Sequence, residues 1–279
     1  MTHSNPGHTA PTPSAASPTS DVGSQLEAEW PEQGDEAAGL DRAATREHAT
    51  PISAVLAVCV VHAELDVQGQ IGRTAIDKRP QPGRVAVRTL GLEGDHVCDT
   101  TNHGGTHQAV YAYAQADAER WAGELGRELP AGWFGENLRI AGLAVSDAVI
   151  GARWAIGDAV FEVSAPRVPC ATFQHWSGEA QWVKRFTLQS DTGAYLRVLT
   201  EGSIGAGDEV RVEYVPEHGV TVRDLFTGND QDRLELLLRD EPSVSAGVRM
   251  QVERHARRHA NAERARQQHT GDSAKGATR

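Results

Sequence analysis

Apolar and polar positions divide the chain into three stretches of different character. Over residues 1–50, Pro, Ser, Thr, His and Ala fill the first twenty positions and acidic residues dominate the rest, with Leu26, Trp30 and Leu40 scattered among them. Such a segment buries too little apolar surface to offset its ordering entropy, so a disordered N-terminal tail is expected. Order begins at Ile52. Ala54–Val61 (AVLAVCVV) is a continuous Val-rich run of strand length and predicts a buried strand. Val85–Leu90, Ala109–Tyr113, Val160–Val163, Ala194–Thr200 and Glu209–Val215 read as further strands, and in the last Val210, Val212 and Tyr214 share one face. Between them, Gln115–Leu125 places Ala118, Trp121, Ala122 and Leu125 at helical spacing.

The connections are rich in glycine. Gly-Asp before an apolar stretch recurs at Gly94-Asp95, Gly157-Asp158 and Gly207-Asp208, and the second and third are expected to be turns that start strands. Many short strands with few helices predict a mainly β fold, a barrel or a folded-over sheet over residues 51–216. After Pro216 the pattern turns helical. Asp230 is placed to cap a helix through Leu234, Leu237 and Leu238, and Pro242 to open another from about Ser243 to Arg266. Residues 217–268 are therefore expected to form a small helical appendix and 269–279 a disordered tail. The basic end of the last helix (Arg254, Arg257, Arg258, Arg264, Arg266) suits a solvated face or a docking surface.

Composition narrows the function. The chain of 279 residues carries 27 Lys and Arg against 38 Asp and Glu, a net charge of -11. That balance argues against a general nucleic-acid binder but leaves room for a local anion pocket. Three cysteines (Cys59, Cys98, Cys170) can build neither a disulfide framework nor the four ligands of an iron–sulfur cluster, and they fit a reducing, cytoplasmic setting. No apolar run approaches the roughly 18 residues of a membrane span. The N-terminus lacks a basic-then-apolar signal pattern, so a soluble protein without membrane contact is expected.

Two stretches could carry chemistry. Gly94–Gln108 (GDHVCDTTNHGGTHQ) gathers acids, histidines and Cys98. His103 and His107 with Cys98 could ligand zinc, although the spacing matches no strong zinc signature. Alternatively, His103-Gly104-Gly105 could present consecutive backbone N–H groups to an anion, or the segment is a surface turn with incidental histidines. Ser164–Phe173 (SAPRVPCATF) fixes Cys170 between Pro169 and Ala171, with Arg167 nearby to favour thiolate. A thiolate there is a nucleophile or soft-metal ligand; a buried structural cysteine is the alternative, and Cys59, inside an apolar run, fits the latter. Glu136 and Asn137 follow a glycine in front of a strand. Arg197 lies inside a strand, on the face of Tyr195, and is either buried with an anionic partner or exposed on the exterior.

In order along the chain, several pieces resemble the MOSC domain family, in particular its YiiM-like branch. They are Thr74-Ala75-Ile76-Asp77-Lys78, Gly91-Leu92-Glu93-Gly94-Asp95, His103-Gly104-Gly105 with Ala109-Val110-Tyr111, Phe134-Gly135-Glu136-Asn137-Leu138, Pro166-Arg167-Val168-Pro169-Cys170, Tyr195-Leu196-Arg197-Val198 and Gly207-Asp208. The resemblance spans roughly residues 52–215. It implies a barrel-like β domain that binds the molybdenum cofactor (molybdopterin), with Cys170 as the molybdenum ligand. It further implies that Lys78, Arg167, Arg197 and the His103–Gly105 turn receive the phosphate of the pterin, and that Glu136 and Asn137 either bond the pterin edge or brace the pocket. The activity implied is reduction of small N-hydroxylated substrates, such as N-hydroxylated purine bases, with Cys170 and Arg167 in the catalytic role. Electrons would come from a separate donor protein. A cofactor carrier or sulfur-transfer module is the alternative, and oligomeric state, a homodimer included, is left open. Two departures stand out: Thr106-His107-Gln108 where relatives often carry Pro-Asp-Lys, and Ala75 where they often carry glycine.

Overall fold

Ala54–Asp66 forms a 13-residue strand, β1, buried on both sides from Ala57 through Val60 and alternately exposed afterwards. The computed structural model describes residues 53–67, 72–99 and 104–276, with side chains through residue 267. The tail expected over residues 1–50 lies outside the described residues. After β1 come β2 (Arg73–Pro80), β3 (Arg84–Arg88), β4 (Gly91–Leu92), β5 (Val110–Ala114), α1 (Gln115–Leu125), β6 (Leu138–Ala141), β7 (Arg153–Ile156), β8 (Ala159–Pro166), α2 (Ala171–Ser177) and α3 (Trp182–Gln189). Then follow β9 (Ala194–Thr200), β10 (Gly202–Gly205), β11 (Val210–Tyr214), α4 (Val222–Thr227), α5 (Gln231–Asp240) and α6 (Ala246–Gly276).

Eight strands form one mixed sheet in the order β11-β7-β8-β9-β5-β6-β1-β2, and β10-β3-β4 form a second. The β5–β6 pair is parallel, which requires a crossover, and α1 supplies it. The large sheet curls until the start of β1 meets the approach to β11. There Ala54 bridges Glu209, and Val210 N donates to Ser53 O at 2.7 Å and Val55 N to Asp208 O at 2.9 Å. The mainly β class holds. The expected closed barrel is not formed among the described residues: at that seam one isolated bridge stands in place of a strand ladder.

Two cores result. One fills the curled sheet with Val58, Leu138, Ile140, Trp154, Phe161 and Leu196. Val222, Leu225, Leu234, Leu237, Val248 and Val252 of α4, α5 and α6 belong to that same core. The other lies among α1, α2 and α3. It holds eight aromatic side chains of a chain with only six Trp, four Tyr and five Phe: Tyr111, Tyr113, Trp121, Trp133, Phe134, Phe173, Trp182 and Phe186. Their rings meet edge-to-face or offset, as at Trp133–Trp182 with centroids 5.4 Å apart.

The helix over 115–125 falls where its periodicity predicts, and Asp230 caps α5 by accepting from Arg233 N at 3.0 Å. The start of α6 differs. Ser245, whose Oγ accepts from Val248 N, sets it at Ala246, so Pro242 stands outside the helix. Its backbone stays helical through Gly276, past the frayed end expected from residue 269, because no proline interrupts the stretch.

Gly132, with φ +92, is where the loop before β6 touches the backbone of β2. A Cβ there would run into the carbonyl oxygen of Lys78. Gly126, at the end of α1, has φ +64 and open space around it. Gly132→Ala is therefore expected to cost about 3 kcal/mol, strain plus displacement of β2, and Gly126→Ala only about 1 kcal/mol. Urea unfolding of both variants checks this; equal losses would contradict the close approach.

Candidate functional site

Four segments are tied together at one carboxylate. Gly94, with φ +84, turns the chain after β4 and points Asp95 back toward the large sheet. Asp95 accepts from Val61 N on β1 at 3.0 Å, from Lys78 Nζ on β2 at 2.5 Å and from Asn137 Nδ2 at 2.8 Å. Asn137 in turn donates to Cys59 O at 3.1 Å and accepts from Tyr111 N of β5 at 3.0 Å. All these polar capacities are used inside the protein, so Asn137 braces the site. Glu136 does the same one residue earlier. It is wholly buried, accepts from Gly132 N and Phe134 N at 2.8 and 2.9 Å, and pairs with Arg139. Of the two roles open to Glu136 and Asn137, the geometry supports bracing.

Beside this lock opens a cavity of about 430 Å³. Ile76, Tyr111, Phe134 and Tyr195 give it apolar walls, and Lys78, Gly104, Gly105, Arg167, Cys98 and Cys170 also line it. Arg167 is placed at the end of β8, after Pro166, and Cys170 follows at the start of α2. Arg167 is only 7% exposed. Its guanidinium lies 3.6 Å from the centroid of Phe173 and faces Tyr111 at 5.7 Å. Its Nη1 is buried without a hydrogen-bond partner, and none of the ion pairs among the described residues involves it. Burial holds the Tyr195 hydroxyl above its ordinary pKa, against the pull of Arg167, which bonds to it. Among the described residues this desolvated guanidinium has no carboxylate partner, and Arg167 lines the same cavity as the half-buried Cys170, which favours an anionic ligand there.

The expected residues fall into three groups. Cys170, Arg167, Gly104 and Gly105 line the cavity, the two glycines at φ +82 and +77. Lys78 lines it too, but Asp95 neutralises its charge. His103 lies outside the described residues. Arg197 does not line the cavity: it pairs with Glu162 of β8 at 2.6 Å, because the neighbouring strand supplies a carboxylate directly opposite. Of the zinc ligands weighed from sequence, His107 lies apart from Cys98, in a small cleft with Glu162, Ser164 and Glu241. Burial and Arg197 lower its pKa. Cys98 falls instead beside His96 and Glu64. The anchoring role of Asp95 and the wall formed by Tyr111 and Tyr195 were not assigned from sequence; the Gly-Asp turn marked the first, and nothing local marked the second.

The MOSC domain profile matches residues 99–211, the span holding the arginine, the cysteine and the tyrosines of the cavity. The "Uncharacterized protein YflK" of Bacillus subtilis is 35% identical over 159 residues, 57% of this chain and 72% of that one. "Protein YiiM" of Escherichia coli is 36% identical over 136 residues, 48% of this chain and 61% of that one. A protein named "Reductase" from Gibberella moniliformis is 32% identical over 141 residues, but the match spans only 25% of its length. The crystal structure of YiiM from Geobacillus stearothermophilus shares the fold, with a TM-score of 0.60 over 73% of this chain and 98% of that one at 23% identity. The chain belongs to the MOSC domain family. Within it, the chain is a member of the YiiM-like branch. Among the described residues no helix is long and apolar enough to cross a membrane.

Two predictions follow from the burial of these groups. Burial pushes the Cys59 thiol up to about 12, so at pH 9 only about one part in a thousand is thiolate. Alkylation of the native protein with iodoacetamide, read by peptide mass spectrometry, is expected to label Cys170 and spare Cys59; the reverse order would refute the placement. Arg167→Met is expected to leave the stability of the ligand-free protein unchanged or raised by about 1 kcal/mol, because it removes an uncompensated buried charge. Glu136→Gln, which strands Arg139, is expected to cost about 3 kcal/mol. Chemical denaturation of the two variants measures both.

Proposed function

We propose that the protein binds the molybdenum cofactor in this cavity and reduces small N-hydroxylated compounds, such as N-hydroxylated purine bases, with electrons from a separate protein. The observation that carries this reading is the unpaired Nη1 of buried Arg167 in a cavity that Cys170 also lines. MOSC domains are associated with the molybdenum cofactor as a class, and one relative is named a reductase.

The donor set suits that cofactor. A cysteine thiolate is a soft ligand for molybdenum, and Cys170 is the cysteine in the Pro-Arg-x-Pro-Cys position. The pterin carries a phosphate, and Arg167 offers it the unpaired guanidinium N–H. The amide of Gly105 would add a neutral donor without a Cβ in the way, whereas that of Gly104 already donates to Gln108 Oε1 at 3.2 Å. Lys78, held by Asp95, contributes shape and donors to the wall more than net charge.

When bound, the cofactor supplies two-electron oxygen-atom chemistry at molybdenum. The overall change converts an N–OH group, two electrons and two protons into N–H and water. The side chains provide the setting. Tyr111, Phe134 and Ile76 exclude water and accept the faces of a flat heteroaromatic ring. Tyr195 stays protonated at neutral pH. Because its oxygen accepts from Arg167, its own proton remains available to hydrogen-bond a ligand. Arg167 holds Tyr195 in place and keeps the local field positive beside Cys170.

Protein purified from a molybdenum-sufficient host is expected to carry molybdenum and pterin. Cys170→Ser should lower the metal content at least tenfold, and Arg167→Met should weaken cofactor retention by about tenfold to a hundredfold. Arg197→Met should retain the cofactor. Loaded protein given a chemical reductant should turn over an N-hydroxylated base. Bound cofactor with no turnover would remove the reductase and leave a carrier, and equal metal in wild type and Cys170→Ser would remove the site altogether.

A further inference from the structure

At the mouth of the same cavity, three side chains that the proposed function does not use converge. Glu64 comes from the exposed end of β1, and His96 and Cys98 from the loop after β4. Each can offer one ligand atom, and these atoms lie within 4.8 Å of one another. The closest approach is His96 Nε2 to Glu64 Oε1 at 2.9 Å. His96 and Cys98 also line the cavity, whereas Glu64 does not.

We propose that Glu64, His96 and Cys98 bind one divalent cation of the zinc class at the entrance to the cavity, leaving a coordination position open toward its interior. The donor types select the ion. A thiolate, an imidazole and a carboxylate together suit a borderline-soft tetrahedral metal, whereas magnesium and calcium take oxygen ligands. Three protein ligands plus one exchangeable position is the pattern of an open zinc site. The charge also balances, since carboxylate and thiolate carry two negative charges against the ion's two positive ones.

The surroundings hold the ligands in place. The other carboxylate oxygen of Glu64 forms an ion pair with Arg73 Nη1 at 3.0 Å, which holds the carboxylate and leaves Oε1 toward His96. The cysteine is not preformed as a thiolate. Burial raises the Cys98 thiol above its ordinary pKa, and Glu64 raises it further. Placed there, the ion would clip the end of β1 to the loop after β4, beside the residues that carry Asp95. This site shares a cavity with the proposed cofactor but none of its ligands, so it does not rest on the proposed function.

The test uses the full chain, stripped with chelator and titrated with cobalt(II), whose thiolate complexes absorb in the near ultraviolet. One equivalent is expected to give a thiolate-to-cobalt band that zinc then abolishes. Cys98→Ser should lose the band, His96→Gln should weaken binding at least tenfold, and Cys170→Ser should behave like wild type. Zinc should raise the melting temperature of wild type and Cys170→Ser but not of Cys98→Ser, with circular dichroism confirming that each variant is folded. No band in folded wild type, a band that survives Cys98→Ser, or one lost in Cys170→Ser overturns the proposal. Because Cys170→Ser removes the proposed molybdenum ligand, the two sites fail independently.

Discussion

The structure around the cavity depends on the carboxylate of Asp95. Its two oxygens collect a backbone amide of β1, the ammonium of Lys78 on β2 and the amide of Asn137, which itself spans to β1 and β5. These partners come from segments up to 42 residues apart in the chain, so the interaction fixes tertiary geometry and not a local turn. Each group is buried, and in a low-dielectric setting a missing member would leave others unsatisfied. The group therefore acts as a unit: it holds β1 and the cavity-lining part of β2 against β5, and it does so by committing Lys78 to an internal partner.

That expenditure explains why Arg167 stands out. The buried cations Lys78 and Arg139 have carboxylates at hydrogen-bond distance, while Arg167 has aromatic rings. Cation–π contact with Phe173 offsets part of the desolvation, about 1 to 2 kcal/mol, but not the several kcal/mol that burying a cation costs. An unpaired guanidinium is therefore a destabilising feature that the aromatic core around α2 and α3 holds in place. Three of its rings, Tyr111, Phe173 and Phe186, lie against the guanidinium, with centroids 5.7, 3.6 and 5.8 Å away. A ligand with negative charge would recover the deficit, which links the packing of the second core directly to binding.

Much of this was legible in the sequence, and the part that was not shares a cause. The apolar run of β1, the helical spacing of α1, the Asp230 cap and the cysteine between small and proline neighbours are all local signals, and all sit where the pattern placed them. The helices α2 and α3 run only 7 and 8 residues, too short for a periodic signal to stand out, and β6, β7 and β10 are four residues each. The site calls that fared differently were decided across strands. Arg197 and Arg167 look alike along the chain, each an arginine in or beside a strand. Only the register of β8 against β9 reveals that the first faces Glu162. His107 and Cys98 look like neighbours in the sequence and belong to different clefts.

The acidic balance of the chain does not conflict with an anion site, and the distances explain why. At physiological ionic strength the screening length is about 8 Å, so most of the net charge of -11 is invisible from inside the cavity. What a ligand meets there is set by the pairs along the wall. Lys78 is cancelled by Asp95, and Arg73 leans on Glu64, which leaves Arg167, among the described residues of the wall, as the arginine or lysine without a carboxylate partner. A single uncancelled charge in an apolar setting exerts a larger field than several exposed ones, because little water lies between it and the ligand. Selectivity for an anion with a flat apolar body then follows from the same few residues. The rings supply the surface, the arginine supplies the sign, and the Asp95 lock keeps the charge of Lys78 from competing.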